Sequence, residues 1–371
     1  MSAAPNAKLK NPPVILFAGG GTAGHIEPAL AVADEIRKIR ADAKCAFLGT
    51  DGALEALLVP KRGYSLHTIK KVVLPRSLDG ESFLFPFRLV VSTFQAIKAL
   101  RGVDLLIGFG GYVAAPAYLA AFLKGVPIVI HEANAKPGWA NKLGRGFAKL
   151  VAVNFEAVRK QWPGAVLTGM PIRSSLNEVA QIKDRESFKR EHCRTWGLDP
   201  KQPLVAIFGG SQGSQYMNGV VAQALPQLSG IQIIHAVGMN NQLPDRTESY
   251  LPLPYFHDMT AIYGSADLVI ARSGAVTCSE LASVGKFSIL VPLPHGNGEQ
   301  IDNAKALEGK GAAVMVKNEE FTASWLIQNL SEALVKAGKF KSTEIGSNSA
   351  AGKRIAELAL GVLEPKSGDR K

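Results

Sequence analysis

The chain has 371 residues, 47% hydrophobic, 20% charged and 7% aromatic, which excludes a disordered polymer and, at ~100 to 200 residues per domain, predicts two packed domains. Its net charge of +11 at pH 7 comes from dispersed Lys and Arg, without a basic block or an RNA-binding aromatic motif. That speaks against nucleic acid and leaves anionic lipid or phosphorylated ligands as the partners a positive surface would attract.

Three widely spaced cysteines, Cys45, Cys193 and Cys278, give neither a disulfide framework nor a zinc site and point to a reducing cytoplasm. The apolar run before the first glycines is too short for a signal peptide. The longest apolar run, residues 112–123, falls short of the ~18 to 20 residues that span a bilayer, so neither export nor membrane crossing is expected.

Short β-branched runs alternate with helix-compatible segments, the pattern of parallel strands joined by crossover helices. Strands are predicted at residues 14–18, 46–48, 105–108, 128–130 and 151–153, and again at 205–208, 233–236, 268–271 and 288–291. The two halves share a grammar. Each opens with a strand running into glycines, "VILFAGGGTAGH" and "LVAIFGGSQGS", and each carries a later unit, "DLLIGFGG" and "DLVIARSG", in which Gly111 and Gly274 follow an aspartate by seven residues. The fold class is therefore α/β, two Rossmann-like doubly wound domains, with ligands expected beyond the carboxyl ends of the strands in a cleft that the domains face. The expected boundaries are 1–172 and 173–346, with a hinge near residues 169–178 and a last helix at about 347–364 packing back on the first domain.

The stretch "FAGGGTAGHIEPALAVADEI", residues 17–36, holds Gly19, Gly21 and Gly24 as G-x-G-x-x-G. A nicotinamide site needs an acid ~20 residues further on. Here Asp51, at the end of the second strand, follows Gly19 by thirty-two residues, which counts against a dehydrogenase. A plain strand-to-helix turn is the bland alternative, but His25 and Pro28 at a helix start gain little from packing alone.

These residues resemble the acceptor-side loop of the bacterial peptidoglycan N-acetylglucosaminyltransferases, the MurG type. The resemblance continues through "GFGGYVAAPAYLAAFLKGVPIVIHEANAKPGWANKL", "LTGMPIR", "FGGSQGS", "ADLVIARSGAVTCSELASVG" and "PHGNGEQIDNAKAL", covering residues 14 to about 316. Ala23 stands where a glycine is common, which is harmless only if that position does not need a positive φ.

The resemblance implies the GT-B glycosyltransferase architecture and inverting transfer of N-acetylglucosamine, β1,4, from UDP-N-acetylglucosamine to the muramyl sugar of undecaprenyl-pyrophosphoryl-N-acetylmuramyl-pentapeptide. An imidazole of ordinary pKa ~6.5 can accept a hydroxyl proton at neutral pH, so His25 is either the general base or a hydrogen-bonding contact to acceptor or phosphate. Thr22, Ala23, Gly24, Tyr112 and Asn134 are the implied acceptor-side residues, with Thr22, Ala23, Gly24 and Asn134 also near the donor. His131 and His295 read as supports.

On the donor side, "GGSQGS" follows a strand and should present Ser211, Gln212 and Gly213 to a diphosphate at a helix N-terminus. The resemblance adds Arg173 as a diphosphate contact and Glu280 as the acceptor of both ribose hydroxyls. It also adds Phe256, whose backbone would read uracil, and the run Arg272, Ser273, Gly274, Ala275, Val276, Thr277, Cys278 and Ser279. Gln300 and Asn303 would hold the sugar hydroxyls, while Glu299 stands where relatives carry an amide or histidine. Neither a D-x-D motif nor a metal-spaced cluster is present, so no metal and no cofactor are expected.

Two other functions stay open at this level: a same-fold transferase acting on another lipid or small molecule, and a sugar-nucleotide binding protein without turnover, which would have no use for His25. The segment "SLDGESFLFPFRLVVSTFQAIKALR", residues 77–101, sets Phe83, Leu84, Phe85 and Phe87 beside Arg88, with Lys98 and Arg101 beyond. Together with Phe122 these aromatics are expected to contact an anionic membrane, placing the protein peripherally on the cytoplasmic face of the plasma membrane. Leu89, Val90, Phe94 and Ile97 have helical spacing and are expected to face inward. Other cell-wall or division proteins are further candidate partners.

Overall fold

The computed structural model describes residues 12–72, 80–294, 298–341 and 350–364. The chain forms two units, one of Met1–Arg173 with Ala350–Lys371, the other of Ser174–Ser349.

The first unit is built on seven parallel strands: β1 Val14–Gly19, β2 Lys44–Gly49, β3 Ser65–Thr68, β4 Leu105–Gly110, β5 Ile128–Glu132, β6 Leu150–Val153 and β7 Val166–Leu167, in the order β3-β2-β1-β4-β5-β6-β7. Helices α1 Ala23–Ile39, α2 Leu54–Lys61, α3 Gly80–Ala99, α4 Ala114–Lys124, α5 Trp139–Gly144 and α6 Glu156–Gln161 connect them. Strand side chains alternate between faces, so each apolar strand feeds two cores. Ile15, Phe17, Phe47 and Ile107 meet Ile26, Leu30, Ile36, Leu58 and Val59 on one face. Leu16, Ala18, Leu48 and Leu106 meet Ala96, Leu100, Ala117, Tyr118 and Ala121 on the other.

The second unit repeats the plan with six parallel strands: β8 Leu204–Phe208, β9 Gln232–Ala236, β10 Tyr250–Leu253, β11 Leu268–Ala271, β12 Ser288–Leu290 and β13 Ala313–Met315, ordered β10-β9-β8-β11-β12-β13. Its helices are α7 Leu176–Gln181, α8 Arg185–Trp196, α9 Gln215–Ala224, α10 Met259–Ser265, α11 Ala275–Val284, α12 Glu299–Glu308 and α13 Ala323–Lys339. The last helix, α14 Ala351–Leu363, returns to the first unit, where Ile355, Ala356, Ala359 and Leu360 join the α1 core.

The shared aspartates of "DLLIG" and "DLVIA" have the same work in both units. Asp104 Oδ2 accepts the Val14 amide at 2.8 Å, and Asp267 Oδ2 accepts the Leu204 amide at 2.7 Å, so each pins the start of the first strand to the fourth. The strand order in each sheet reverses there, between β1 and β4 and between β8 and β11.

Candidate active site

In the first unit the glycine loop leaves β1 at the reversal point. Gly21 takes φ +89°, a conformation only glycine holds cheaply, and the Tyr112 ring lies against its Cα where a Cβ would meet Cδ2 at 2.7 Å. The Lys71 ammonium sits 4.5 Å from the centre of that ring. Gly111 is required for the same reason of space, because a Cβ there would overlap the Gly20 carbonyl.

Thr22 is extended (φ −148°) and precedes α1, but its hydroxyl bonds to no helix amide. Instead Thr22 Oγ1 lies 3.1 Å from His25 Nδ1, with the donor set by the tautomer. Ala23 is the first helical residue, and no described residue other than glycine has positive φ, so its methyl carries no backbone strain. The His25 ring edge packs beside Gly110, where a Cβ would stand 3.4 Å from Cδ2. Burial lowers the His25 pKa to about 4, against the opposing influence of the Glu55 charge and the Gly20 carbonyl. The imidazole is therefore neutral at pH 7.

Sequence reasoning missed the acids beneath these loops. Glu55, on α2, is buried and accepts the Thr50 amide and hydroxyl, both at 2.9 Å, and the Gly21 amide at 3.2 Å. Glu132, buried at the end of β5, accepts the Asn134 amide at 2.9 Å, the Gly138 amide at 3.1 Å and Asn141 Nδ2 at 2.9 Å. Burial raises its pKa while these donors pull it back. Asn134 is thus held by its backbone, and Tyr118 donates to Asn141 Oδ1 at 2.7 Å beneath it. A partial signal was available: each acid interrupts an apolar run, "ALEALLV" and "IVIHEA", and an acid buried there needs donors to fill its lone pairs.

His131 is fully buried against the Gly169 carbonyl at 3.0 Å, with its pKa lowered to about 4 by burial. His295 lies outside the described residues. Arg173 belongs to the first unit and pairs at 3.3 Å with the buried Glu27 of α1, two residues beyond His25.

In the second unit Ser211, Gln212 and Gly213 fall in the loop before α9, not in its first turn. Ser214 is the cap, accepting the Met217 amide at 3.3 Å. This corrects the expected presentation: the glycines turn the chain first, and the serine after them takes the helix amide. Arg272 knits the region together, donating to Ser214 Oγ at 2.8 Å, to Val291 O at 3.1 Å and to Pro292 O at 3.0 Å. Helix α11 starts at Ala275 behind Gly274, which offers no side-chain cap to the amides of Ala275, Val276 and Thr277.

Glu280 is buried on α11, and Tyr263 donates to its Oε2 at 3.0 Å. Phe208 stands edge-on to both Phe256 and Tyr263, at 5.8 and 6.4 Å between ring centres. Cys278 and Ser279 are buried beside Glu280, and burial pushes the Cys278 thiol far above its ordinary range. Gln300 receives the Ser273 hydroxyl on its carbonyl at 2.8 Å and the Leu293 amide on Oε1 at 3.0 Å. Asn303 is fully buried and gives Nδ2 to the Ser273 carbonyl at 3.1 Å, so its amide supports the β11 loop. Glu299 opens α12. Among the described residues, no group of three or more His, Cys, Asp or Glu is placed to hold a metal ion.

On α3, Phe83, Leu84 and Phe87 are exposed, and Phe122 on α4 is too, whereas Phe85 turns its ring toward Trp139 at 6.1 Å. The expected inward stripe is corrected in part: Val90 is 52% and Phe94 64% exposed and Leu89 is half-buried, whereas Ile97 packs against the core as expected. The inner face is completed by Ser92, Thr93 and Ala96, with Leu100 just past the end of the helix. Ser92 reaches the Lys70 carbonyl at 2.9 Å, which lets a polar residue lie inside. No helix among the described residues is long and apolar enough to cross a membrane.

The glycosyltransferase family 28 N-terminal domain matches residues 15–153, and the family 28 C-terminal domain matches residues 204–358. A UDP-N-acetylglucosamine–N-acetylmuramyl-(pentapeptide) pyrophosphoryl-undecaprenol N-acetylglucosamine transferase of Corynebacterium diphtheriae is 45% identical over 316 residues, 84% of this chain and 85% of that one. Its counterpart from Corynebacterium glutamicum is 43% identical over 351 residues, 93% and 96% of the two chains. The crystal structure of Acinetobacter baumannii MurG superimposes with a TM-score of 0.66 at 28% identity, covering 94% of this chain and all (100%) of that one.

Proposed function

The chain belongs to the UDP-N-acetylglucosamine–N-acetylmuramyl-(pentapeptide) pyrophosphoryl-undecaprenol N-acetylglucosamine transferases of glycosyltransferase family 28, and we infer from this the reaction that it catalyses. It transfers N-acetylglucosamine from UDP-N-acetylglucosamine to the muramyl sugar of the lipid-linked pentapeptide, the step from lipid I to lipid II. The observation that carries the reading is identity of 43% over 93% of this chain and 96% of a relative, spanning both units.

In the transfer, the acceptor hydroxyl oxygen forms the new bond to the anomeric carbon. The bond from that carbon to the diphosphate breaks on the opposite side, and UDP leaves with the electron pair. His25 takes the hydroxyl proton. Its neutral state at pH 7 leaves a lone pair for this, and the tautomer with the proton on Nδ1, given to Thr22, puts that lone pair on Nε2. Thr22, Gly24, Tyr112 and Asn134 form the acceptor surface around it.

The second unit takes the donor. Glu280 accepts from the ribose hydroxyls while Tyr263 steadies one of its oxygens. The first-turn amides of α11 and the loop of Ser211, Gln212 and Gly213 receive the diphosphate, with a helix N-terminus supplying about half a positive charge. Gln300 holds the sugar, and Asn303 acts through Ser273. Arg173 is a diphosphate contact whose charge Glu27 offsets before the donor arrives.

The exposed Phe83, Phe87, Val90, Phe94 and Phe122, with Lys98 and Lys124 near, suit the headgroup layer of an anionic membrane on the cytoplasmic side, where the acceptor's lipid resides. The deciding experiment incubates the protein with radiolabelled UDP-N-acetylglucosamine and lipid-linked muramyl-pentapeptide, beside UDP-glucose and with chelator present. Labelled disaccharide-lipid is expected from the first donor alone, chelator or not. Absence of that product sinks the reading.

A further inference from the structure

The glycine loop that carries Thr22 and His25 rests on a carboxylate from another element. Glu55 arrives from the first turn of α2, across β2 and β1, and is 1% exposed. Three donors meet it: Thr50 N–H and O–H on Oε1, both at 2.9 Å, and Gly21 N–H on Oε2 at 3.2 Å. Two glycines make its room. A Cβ on Gly20 would come within 2.7 Å of Oε1, and one on Gly49 would overlap the Glu55 Cγ. A buried carboxylate is costly unless its lone pairs are filled, so these contacts are built together.

Gly21 is the residue that turns the chain at φ +89°, and the helix bearing His25 starts two residues later. Its amide is held by Glu55 Oε2 at 3.2 Å, and the Tyr112 ring packs where a Cβ would stand. We propose that Glu55 is a positioning residue of the transfer reaction: its buried carboxylate clamps the Gly21 amide and so fixes the turn that aims Thr22 and His25 at the acceptor hydroxyl. The inference rests on the functional reading above and adds to it a residue that touches neither substrate. The negative charge also favours a proton arriving on His25, which a clamp of neutral atoms would not do.

Glutamine cannot replace the carboxylate here. Both oxygens accept, so an amide must turn its NH2 either toward Thr50 N–H or toward Gly21 N–H, and one donor then faces another. The test compares wild type, Glu55→Gln and Thr50→Val in the lipid-acceptor transfer assay, with thermal midpoints and Gly21 amide hydrogen exchange followed by NMR. Thr50→Val removes one donor to Oε1 and leaves the Gly21 clamp.

Glu55→Gln is expected to lower kcat by 10-fold or more, leave the KM for UDP-N-acetylglucosamine within about twofold, and speed Gly21 exchange at least 10-fold. Thr50→Val should lower the thermal midpoint with kcat and Gly21 exchange unchanged. Unimpaired kcat in a Glu55→Gln variant beside an active wild type overturns the inference. So does equal kcat loss in Thr50→Val, or unchanged Gly21 exchange, because the effect would then follow stability and not the clamp. A wild type that transfers nothing overturns the functional reading on which the inference stands.

Discussion

The Thr22 hydroxyl and His25 Nδ1 lie 3.1 Å apart across the first turn of α1. A threonine at this place ordinarily caps its helix by accepting an amide proton three residues on. Here it gives up that bond and orients an imidazole instead, which is a small loss of stability exchanged for a fixed ring. The arrangement predicts that His25→Ala keeps UDP affinity, measured by calorimetry, while transfer falls ~10² to 10⁴-fold. Thr22→Val should lose less rate, because the ring remains. Unchanged turnover in His25→Ala would remove the imidazole from the mechanism.

Glu280 accepts from Tyr263 in a buried setting, and the proposed function gives it the ribose hydroxyls as ligands. Loss of a charged hydrogen-bond acceptor costs ~1.5 to 3 kcal/mol. Glu280→Ala should therefore weaken UDP binding by roughly 10- to 150-fold while the protein stays folded. Tyr263→Phe should show a smaller loss of the same kind. Calorimetry giving wild-type affinity for Glu280→Ala would contradict the ribose assignment.

Three rings, His25, His131 and His235, have pKa values lowered to about 4 by burial. A depressed histidine pKa means that below 6.5 the unfolded chain binds protons that the folded chain refuses, so stability falls as pH drops from 6.5 toward 4. His131 and His235, buried to 0% and 1% exposure, should each contribute on the order of 2 to 3 kcal/mol across that window. His235, on β9, faces Tyr250 Oη at 3.0 Å, and His235→Gln removes one ring while keeping a hydrogen-bonding side chain. Denaturant melts at pH 7 and pH 4.5 should show a shallower acid loss in this variant. An equal loss would mean that the ring takes up its proton without unfolding.

The outward stripe on α3 makes the membrane test sharper than the sequence allowed. Phe85 packs toward Trp139 and is a poor target, whereas Phe83, Phe87 and Phe94 are 84%, 68% and 64% exposed. Changing these three to serine should reduce sedimentation with anionic vesicles and transfer to long-chain acceptor, while transfer to a short-chain soluble analogue and the thermal midpoint survive. Vesicle binding equal to wild type would show that the stripe is not the membrane contact.

The class of fold was legible in the order of residues alone. Central parallel strands are buried on both faces, so β1, β4, β8 and β11 had to be written as continuous apolar runs, and the glycines after them had to stand at turns. The family's reaction was legible for the same reason, since a loop that holds Gly21 at φ +89° beside Tyr112 tolerates few spellings. The edge strands β3 and β7 escaped because they are short and part-exposed, whereas β10 and β13 are apolar but short, with Pro252 interrupting β10. Which polar residues lie inside depends on the packing of distant elements. Ser92 is buried and Phe94 is not, because a neighbouring carbonyl can satisfy a hydroxyl while helical spacing records only hydrophobicity. Glu55 and Glu132 stand within apolar runs, yet most of their donors lie no more than 9 residues away, and whether each acid folds back onto them is a matter of three-dimensional placement; the Gly21 amide reaches Glu55 from 34 residues away.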